Sequence, residues 1–145
     1  MSAASIVVQR AIDSARGLPS ADSLRRFATA ALPKRALEMT IRIVDEAESR
    51  ELNHRYRGKD KPTNVLSFHG EREAGVLGDL VICAPVVARE AVEQHKPPRA
   101  HWAHMVVHGC LHLQGYDHEA DSDAARMEAR ETRILKALGF DNPYS

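Results

Sequence analysis

The stretch from Pro98 to Gln114 constrains the fold more than any other part of the sequence, because as an α-helix it would be apolar on almost every side. The exception is one narrow polar stripe, which spans about 80° of arc on the helix surface. It consists of His101, His104, His108 and His112. A helix this apolar has to be buried by the rest of the chain. A single polar stripe on a buried helix has a reason, which is either a metal site or ordinary hydrogen bonds of histidines at the edge of the core.

The segments around this helix predict an α+β fold. Apolar runs predict four strands, over residues 5–12, 37–43, 63–68 and 77–83. Capping residues, prolines and apolar periodicity predict four further helices, over residues 20–32, 45–56, 85–95 and 122–138. We therefore predict that residues 1–145 form a single domain, in which a small mixed β-sheet of about four strands packs against about five helices.

The composition favours a cytoplasmic globular protein. With 145 residues, 43% of them hydrophobic, the chain can bury a core of its own. Cys83 and Cys110 both lie in apolar stretches, and we interpret them as buried thiols of a reducing compartment. No apolar run approaches the ~18 residues that a membrane span needs, and the first residues lack a signal-peptide pattern, so we expect no membrane partner.

Residues 108–118 read HGCLHLQGYDH, and this spacing predicts a metal site at the end of the buried central helix. His108 and His112 are one turn apart and can offer two imidazole nitrogens to one ion at ~2.0–2.1 Å. Gly115 can adopt the left-handed conformation that ends a helix and turns the chain back, so that His118 approaches the same ion. Three imidazole ligands leave the fourth position of a tetrahedral ion open, as in catalytic sites. We predict one Zn²⁺ per chain, although the same ligands accept nickel, copper or iron.

Other polar residues near this motif have two interpretations each. His101 and His104 are structural or face the substrate, since His104 lies two turns, ~12 Å, from His112 and cannot share its ion. Asp117 either orients a ligand histidine or the water, or simply forms the turn. Asp79 lies in an apolar strand, and as a buried charge it would need an arginine or a ligand histidine beside it.

The histidine spacing also occurs in metzincin proteases, with one difference. Gly109 stands where those enzymes have their glutamate base. Without that carboxylate, peptide hydrolysis lacks its usual general base. A zinc-bound water can still reach a pKa near 7 and attack a phosphodiester, if cations neutralise the charge that develops on phosphorus.

Cations of this kind are present although the 20 basic and 20 acidic side chains of the chain balance. Residues 1–72 hold 13 basic and 9 acidic side chains, whereas residues 73–145 hold 7 and 11. Four of the basic residues lie within seven positions; they are Arg55, Arg57, Lys59 and Lys61. This cluster is either a solvated turn or a phosphate-binding segment, and the guanidinium of Arg57 has the geometry of a phosphate clamp.

Four segments resemble the YbeY family of bacterial endoribonucleases, also called the rRNA maturation factor family. They are LNHRYRGKDKPTNVLSF at 52–68, GVLGDLVIC at 75–83, AHWAHMVVHG at 100–109 and HGCLHLQGYDH at 108–118. The resemblance runs from about Met39 to Tyr144, and the residues before it add nothing. One departure is His69, because the family usually has a proline after the LSF run.

The resemblance implies a zinc-dependent, single-strand-specific endoribonuclease that acts in 16S rRNA 3′-end maturation and in ribosome quality control. It implies that His108, His112 and His118 are the metal ligands and that Arg57 is important in catalysis. The partners would be single-stranded RNA, rRNA and the small ribosomal subunit, with no nucleotide cofactor. The implied fold is α+β, with the metal in a cleft beside a positively charged groove.

Two alternative functions stay open at the level of sequence. The first is a metzincin-like zinc protease, which the glycine at position 109 disfavours. The second is a non-catalytic ribosome assembly factor that zinc only stabilises. An open fourth coordination position argues against the second, since structural zinc sites usually close all four positions with protein groups.

Overall fold

The computed structural model describes residues 5–14, 17–34, 37–116 and 120–144. Within these ranges the chain forms four strands, five α-helices and one short 3-10 helix at Arg72–Ala74. The strands are β1 (Ser5–Ala11), β2 (Glu38–Val44), β3 (Val65–His69) and β4 (Val76–Cys83). The helices are α1 (Ala21–Ala31), α2 (Glu46–Arg57), α3 (Ala84–Glu93), α4 (Pro98–Leu113) and α5 (Asp121–Ala137). The predicted α+β fold is confirmed.

The strands form one mixed sheet in the order β1-β2-β4-β3. β1, β2 and β4 run parallel to one another, whereas β3 runs antiparallel to β4. Along β4 the side chains alternate between the two faces of the sheet. Leu80 and Ile82 join the main core, and Val81 and Cys83 join a smaller apolar cluster that also contains Leu52 of α2. The sheet therefore has α2 on one face and the main core on the other.

Helix α4 lies inside the main core, as its apolar surface requires. It packs against α1, α3 and α5 and against strands β3 and β4. Its residues are buried along most of its length, and His108 and His112 are the half-buried exceptions near its C-terminal end. The prediction of a buried central helix with one distinct polar stripe is confirmed.

Local signals explain where the neighbouring elements begin. Ser20 and Asp45 cap α1 and α2 by accepting hydrogen bonds from the backbone N–H groups three residues later. β3 begins at Val65 rather than at the predicted Thr63. The reason is that the backbone N–H and C=O of Thr63 both bond the Ser49 hydroxyl of α2, which replaces pairing with β4.

Two further expectations concern single side chains. Cys83 and Cys110 are buried free thiols, as predicted, and burial raises the pKa of Cys110 to about 12. The expectation that Asp79 is a buried charge with an arginine or histidine partner is wrong. Asp79 is exposed, because the alternation of β4 turns it to the opposite face from Leu80, where it lines an open depression with Thr40 and Gln9. None of the described helices combines the length and the apolar character that crossing a bilayer requires.

Candidate functional site

His108 and His112 lie on one side of a cleft of about 780 Å³. The other side is formed by β3, by the end of α2 and by the residues just before β3. The residues that line the cleft are Tyr56, Arg57, Thr63, Asn64, Val65, Leu66, Ser67, Phe68, His69, His108 and His112. The fold thus brings two predicted metal ligands and the predicted catalytic arginine, which are about fifty residues apart in sequence, to one depression.

The C-terminal end of α4 is fixed by specific hydrogen bonds. The backbone N–H of Tyr116 bonds the Leu111 carbonyl at 3.1 Å, and Gly115 has a φ of 96°, which is the left-handed conformation that ends helices. Arg72 donates to the Leu113 carbonyl at 2.7 Å, and Gln114 donates to the Ala31 carbonyl at 2.6 Å. These contacts satisfy carbonyls that a helix end would leave without partners, and they hold the turn after His112 in place.

The rings of His108 and His112 lie side by side, with centroids 4.7 Å apart and planes inclined at 75°. Two imidazoles one helical turn apart at the edge of a cleft suit a shared metal ion. The turn at Gly115 agrees with the prediction, but Asp117 and His118 lie outside the described residues. The three-histidine site therefore stays a prediction, of which the described structure contains two members.

Glu131 of α5 bonds His108 through one ring nitrogen, Nδ1. Its Oε1 lies 2.9 Å from Nδ1 of His108, and its Oε2 lies 2.7 Å from Nε2 of His104 and 2.6 Å from the Tyr144 hydroxyl. Burial alone would raise the pKa of Glu131, but the hydrogen bonds from His104, His108 and Tyr144 outweigh it and lower the pKa to about 2. An ionised carboxylate can only accept, so all three neighbours donate to it.

His104, His108 and Glu131 form a cluster that could itself hold a metal ion, because one ligand atom from each lies within 4.8 Å of the others. Access to this cluster is poor. The side chains of Glu131 and His104 are 1% and 10% exposed, against 22% for His108. An ion there would be shielded from a substrate in the cleft, whereas a catalytic ion needs an open position.

Gly109 packs against the sheet and not toward the cleft. A Cβ atom built on it would lie 2.6 Å from Cδ2 of Leu80, which is closer than atoms in contact can come. Leu80 is fully buried in the main core. A glutamate at position 109 would therefore point into the core, so this position could not supply the general base that metzincin proteases have there.

Of the four clustered cations, Arg57 alone is among the described residues that line the cleft. It is the last residue of α2, and Gly58 ends the helix with a φ of 71°. Arg55 pairs with Glu51 on the same helix and does not line the cleft, so for this residue the structure favours the solvated interpretation. Lys59 and Lys61 are exposed in the loop between Arg57 and Thr63, and Asn53 holds this loop by donating to the Lys61 carbonyl at 2.8 Å.

His101, at the other end of the stripe, has a structural partner. Its Nε2 lies 2.9 Å from Oε1 of Glu90, and Asn64 donates to both oxygens of the same carboxylate. Burial lowers the pKa of His101. This network ties α4 to α3 and to the residue that precedes β3, so of the two interpretations the structure favours the structural one for His101.

Two aromatic side chains lie at the rim of the cleft. Tyr56 is 60% exposed, and its ring meets the ring of Phe68 edge to face, with centroids 5.1 Å apart. Both residues also line the neighbouring depression that contains Asp79. His69, the departure from the family pattern, lines the cleft too, and its backbone pairs regularly with Gly78 in the β3–β4 ladder.

Sequence reasoning missed Glu131 and Tyr144. A signal for Glu131 exists, because Met127, Glu131 and Ile134 fall on one face of α5, so that a carboxylate interrupts an apolar stripe. A charge at such a position needs a buried partner. Tyr144 follows the last helix and carries no periodic signal, so only the three-dimensional structure identifies it.

An α+β fold with two histidines and an arginine around one cleft defines a candidate hydrolase with a metal centre. The family model for Endoribonuclease YbeY matches residues 18–139. The chain therefore belongs to the YbeY endoribonuclease family, and the match begins well before Met39, where the resemblance in sequence was expected to start. The chain is also similar to the solution structure of TM1509 from Thermotoga maritima, with 27% identity, a TM-score of 0.62 and coverage of 92% of this chain and 88% of that one.

Proposed function

We propose that this protein is a zinc-dependent, single-strand-specific endoribonuclease of the cytoplasm that acts in 16S rRNA 3′-end maturation and in ribosome quality control. The observation that carries the proposal is the meeting of His108, His112 and Arg57 at one cleft in a chain of the YbeY family. The substrate would be single-stranded rRNA on or near the small ribosomal subunit. The whole chain, residues 1–145, would act as one domain.

The metal ligands in this proposal are His108, His112 and His118, with one Zn²⁺ per chain. The donor set suits zinc, because neutral imidazoles one turn apart are common zinc ligands and the two described rings are adjacent. The chemistry that such an ion supplies when bound is the activation of a water and the polarisation of a phosphate oxygen.

The remaining catalytic roles, phosphate binding and proton transfer, would belong to side chains of the protein. Arg57 can hold the scissile phosphate with two parallel N–H bonds and offset the charge that builds on it. Lys59 and Lys61 extend the positive charge along the loop next to the cleft. No carboxylate lines the cleft among the described residues, so Asp117, outside those residues, stays the candidate for a general base from the chain.

The rim of the cleft supports a single-stranded substrate. The exposed ring of Tyr56, which packs edge to face against Phe68, can stack on an unpaired base. A base inside a duplex is already stacked on its neighbours and could not make this contact. Tyr56 directly precedes Arg57 in α2, so the same helix end would present one group to a base and one to a phosphate. This arrangement favours RNA over a peptide substrate.

Two alternatives are weaker. A metzincin-like protease would need a carboxylate at position 109, where the chain packs on Leu80. A non-catalytic assembly factor would not need Arg57 at the metal site. Purified protein tested on casein and on single-stranded RNA, with a chelator control, separates the three functions: RNA cleavage supports the proposal, whereas peptide cleavage or no turnover contradicts it.

The ligand set can be tested by comparing His112→Ala with His104→Ala. We expect His112→Ala to lose bound zinc and RNA cleavage, because it removes one of three ligands. We expect His104→Ala to keep stoichiometric zinc by elemental analysis, because His104 bonds Glu131 and lies away from the cleft. The opposite result would be zinc lost in His104→Ala and kept in His112→Ala. It would place the ion in the inner cluster of His104, His108 and Glu131.

The phosphate clamp can be tested by comparing Arg57→Ala with Arg55→Ala. Both changes remove one positive charge from the last turns of α2, but Arg55 pairs with Glu51 and lies outside the cleft lining. We expect Arg57→Ala to retain zinc and lose most cleavage, and Arg55→Ala to cleave nearly as the wild type does. Wild-type turnover in Arg57→Ala would rule out the clamp.

Mapping rRNA ends in cells that lack the protein would identify the substrate, since an accumulated 3′-extended 16S precursor is expected.

A further inference from the structure

Glu131 is an unusual residue for its position. It lies between Met127 and Ile134 on the buried face of α5, and its side chain is 1% exposed. A charge buried in this way costs several kcal/mol unless specific partners compensate for it. The partners it has are His104, His108 and Tyr144, and one of them lines the candidate active-site cleft. The cost of burial therefore suggests a role at the cleft rather than in stability.

We propose that Glu131 is a positioning residue that keeps the proton of His108 on Nδ1, so that Nε2 is the nitrogen that binds the metal ion. The inference rests on the proposed metal-dependent function and extends it by one residue. A neutral histidine has two tautomers, and the hydrogen bond at one nitrogen decides which of the two can be a ligand. A carboxylate behind a ligand histidine also fixes the orientation of its ring and makes the ligand more basic.

The two oxygens of Glu131 have separate tasks. Among the described residues, Oε1 accepts from His108 alone, whereas Oε2 accepts from His104 and from Tyr144. The bonds at Oε2 prevent the carboxylate from rotating, and they come from two elements, α4 and the segment after α5. Tyr144 stays a donor, because burial and the bond to Glu131 raise its pKa. Oε1 is thereby held at 2.9 Å from Nδ1 of His108.

The same contacts distinguish this role from that of a ligand. If Glu131 and His104 bound the ion themselves, the ion would replace the protons between them, and His108 would bind it through Nδ1, the nitrogen that faces Glu131. The proton of His108 would then lie on Nε2. The position of one proton on one ring therefore decides between the two arrangements.

The first test compares Glu131→Gln with Tyr144→Phe. Zinc affinity is measured by competition with a chromogenic chelator, and folding is measured by thermal unfolding of the zinc-free proteins. We expect Glu131→Gln to bind zinc about 10- to 100-fold more weakly, as for other carboxylates behind ligand histidines. Tyr144→Phe keeps the bond between Glu131 and His108 and should lose much less. Wild-type affinity in a folded Glu131→Gln protein would overturn the proposal.

The second test needs no variant and holds even if Glu131→Gln fails to fold. Long-range ¹H–¹⁵N spectra of the zinc-loaded, ¹⁵N-histidine-labelled protein show which ring nitrogen carries the proton. We expect the proton of His108 on Nδ1 and the metal on Nε2. A proton on Nε2 would overturn the proposal and support Glu131 as a ligand.

The outcomes keep this inference separate from the proposed function. If the wild-type protein did not cleave RNA, the proposed activity would be wrong. The measured zinc affinities and the His108 spectrum would still test the role of Glu131. Conversely, normal cleavage with an unaffected Glu131→Gln affinity would remove only the role of Glu131.

Discussion

At the scale of single residues, Gly109 explains why α4 can lie so close to the sheet. The missing side chain makes room for Leu80, whose Cδ2 atom would otherwise be 2.6 Å from a Cβ. Alanine would gain up to about 1 kcal/mol of helix propensity. Overpacking a core costs about 1–3 kcal/mol, so we expect Gly109→Ala to lower the free energy of unfolding.

A double-mutant cycle checks this explanation by urea unfolding. Leu80→Ala alone should cost about 2–5 kcal/mol, because it leaves a cavity in the core. In that background Gly109→Ala should be neutral or stabilising, since the clash is gone and the helix propensity remains. Equal effects of Gly109→Ala in both backgrounds would show that contact with Leu80 is not the reason for the glycine.

Tyr56 is the residue through which the cleft would recognise an unpaired base. Stacking of one base on an aromatic ring contributes about 1–3 kcal/mol, so Tyr56→Ala should weaken binding of a short single-stranded RNA by about 5- to 150-fold. Tyr56→Phe keeps the ring and should bind nearly as tightly. Fluorescence anisotropy measures both, with zinc content as the control for an intact site. Wild-type affinity in Tyr56→Ala would exclude stacking at this ring.

Functional residues could be predicted from the sequence where they lie only a few positions apart in it. His108, His112 and Gly115 lie within eight positions on one helix and its turn, so helical geometry alone places them together. The charge of Arg57 indicated a phosphate contact. Its place in the cleft could not be predicted, because it depends on where α2 ends. Glu131 bonds His108 from 23 positions away, and Tyr144 bonds His104 from 40 positions away. No local rule connects such distant segments.

At the scale of secondary structure elements, the turn after α4 is the feature on which the metal site depends. Gly115 and Gly139 follow the ends of α4 and α5, with φ angles of 96° and 95°, and a Cβ on either would meet no atom within 4 Å. Alanine should cost about 1–2 kcal/mol of stability at each, from backbone conformation alone. Only Gly115 lies between His112 and His118.

These two glycines are therefore a matched pair for an experiment. We expect Gly115→Ala and Gly139→Ala to lose similar stability in urea unfolding, but only Gly115→Ala to weaken zinc binding in a chelator competition. Equal zinc affinities in the two variants would mean that the turn at Gly115 does not position His118.

The boundaries of the elements were less predictable than the elements themselves. The start of β3 was misplaced because the Ser49 hydroxyl competes with the sheet for the backbone of Thr63, and Ser49 is fourteen residues away. Asp79 was misjudged for a related reason. A single charge in an apolar strand looks buried in sequence, but whether its face of the sheet is covered depends on where α2 lies.

At the scale of the whole molecule, a chain without net charge has to bind RNA through a local group of cations. The basic residues near the cleft are Arg57, Lys59 and Lys61, and the last two lie in an exposed loop that Asn53 holds in place. For single-stranded nucleic acid, the logarithm of the affinity falls with the logarithm of the salt concentration by about 0.7 per neutralised phosphate. Three such contacts predict a slope of about −2.

Removing both lysines tests whether the loop contacts phosphates. We expect the double variant Lys59→Gln, Lys61→Gln to bind single-stranded RNA more weakly and to reduce the slope by about 1.4, measured by anisotropy between low and physiological salt. The double variant Lys34→Gln, Lys136→Gln changes the net charge equally at exposed positions outside the cleft lining, so its slope should stay near that of the wild type. If both variants changed the slope alike, the overall charge and not the loop beside Arg57 would govern binding.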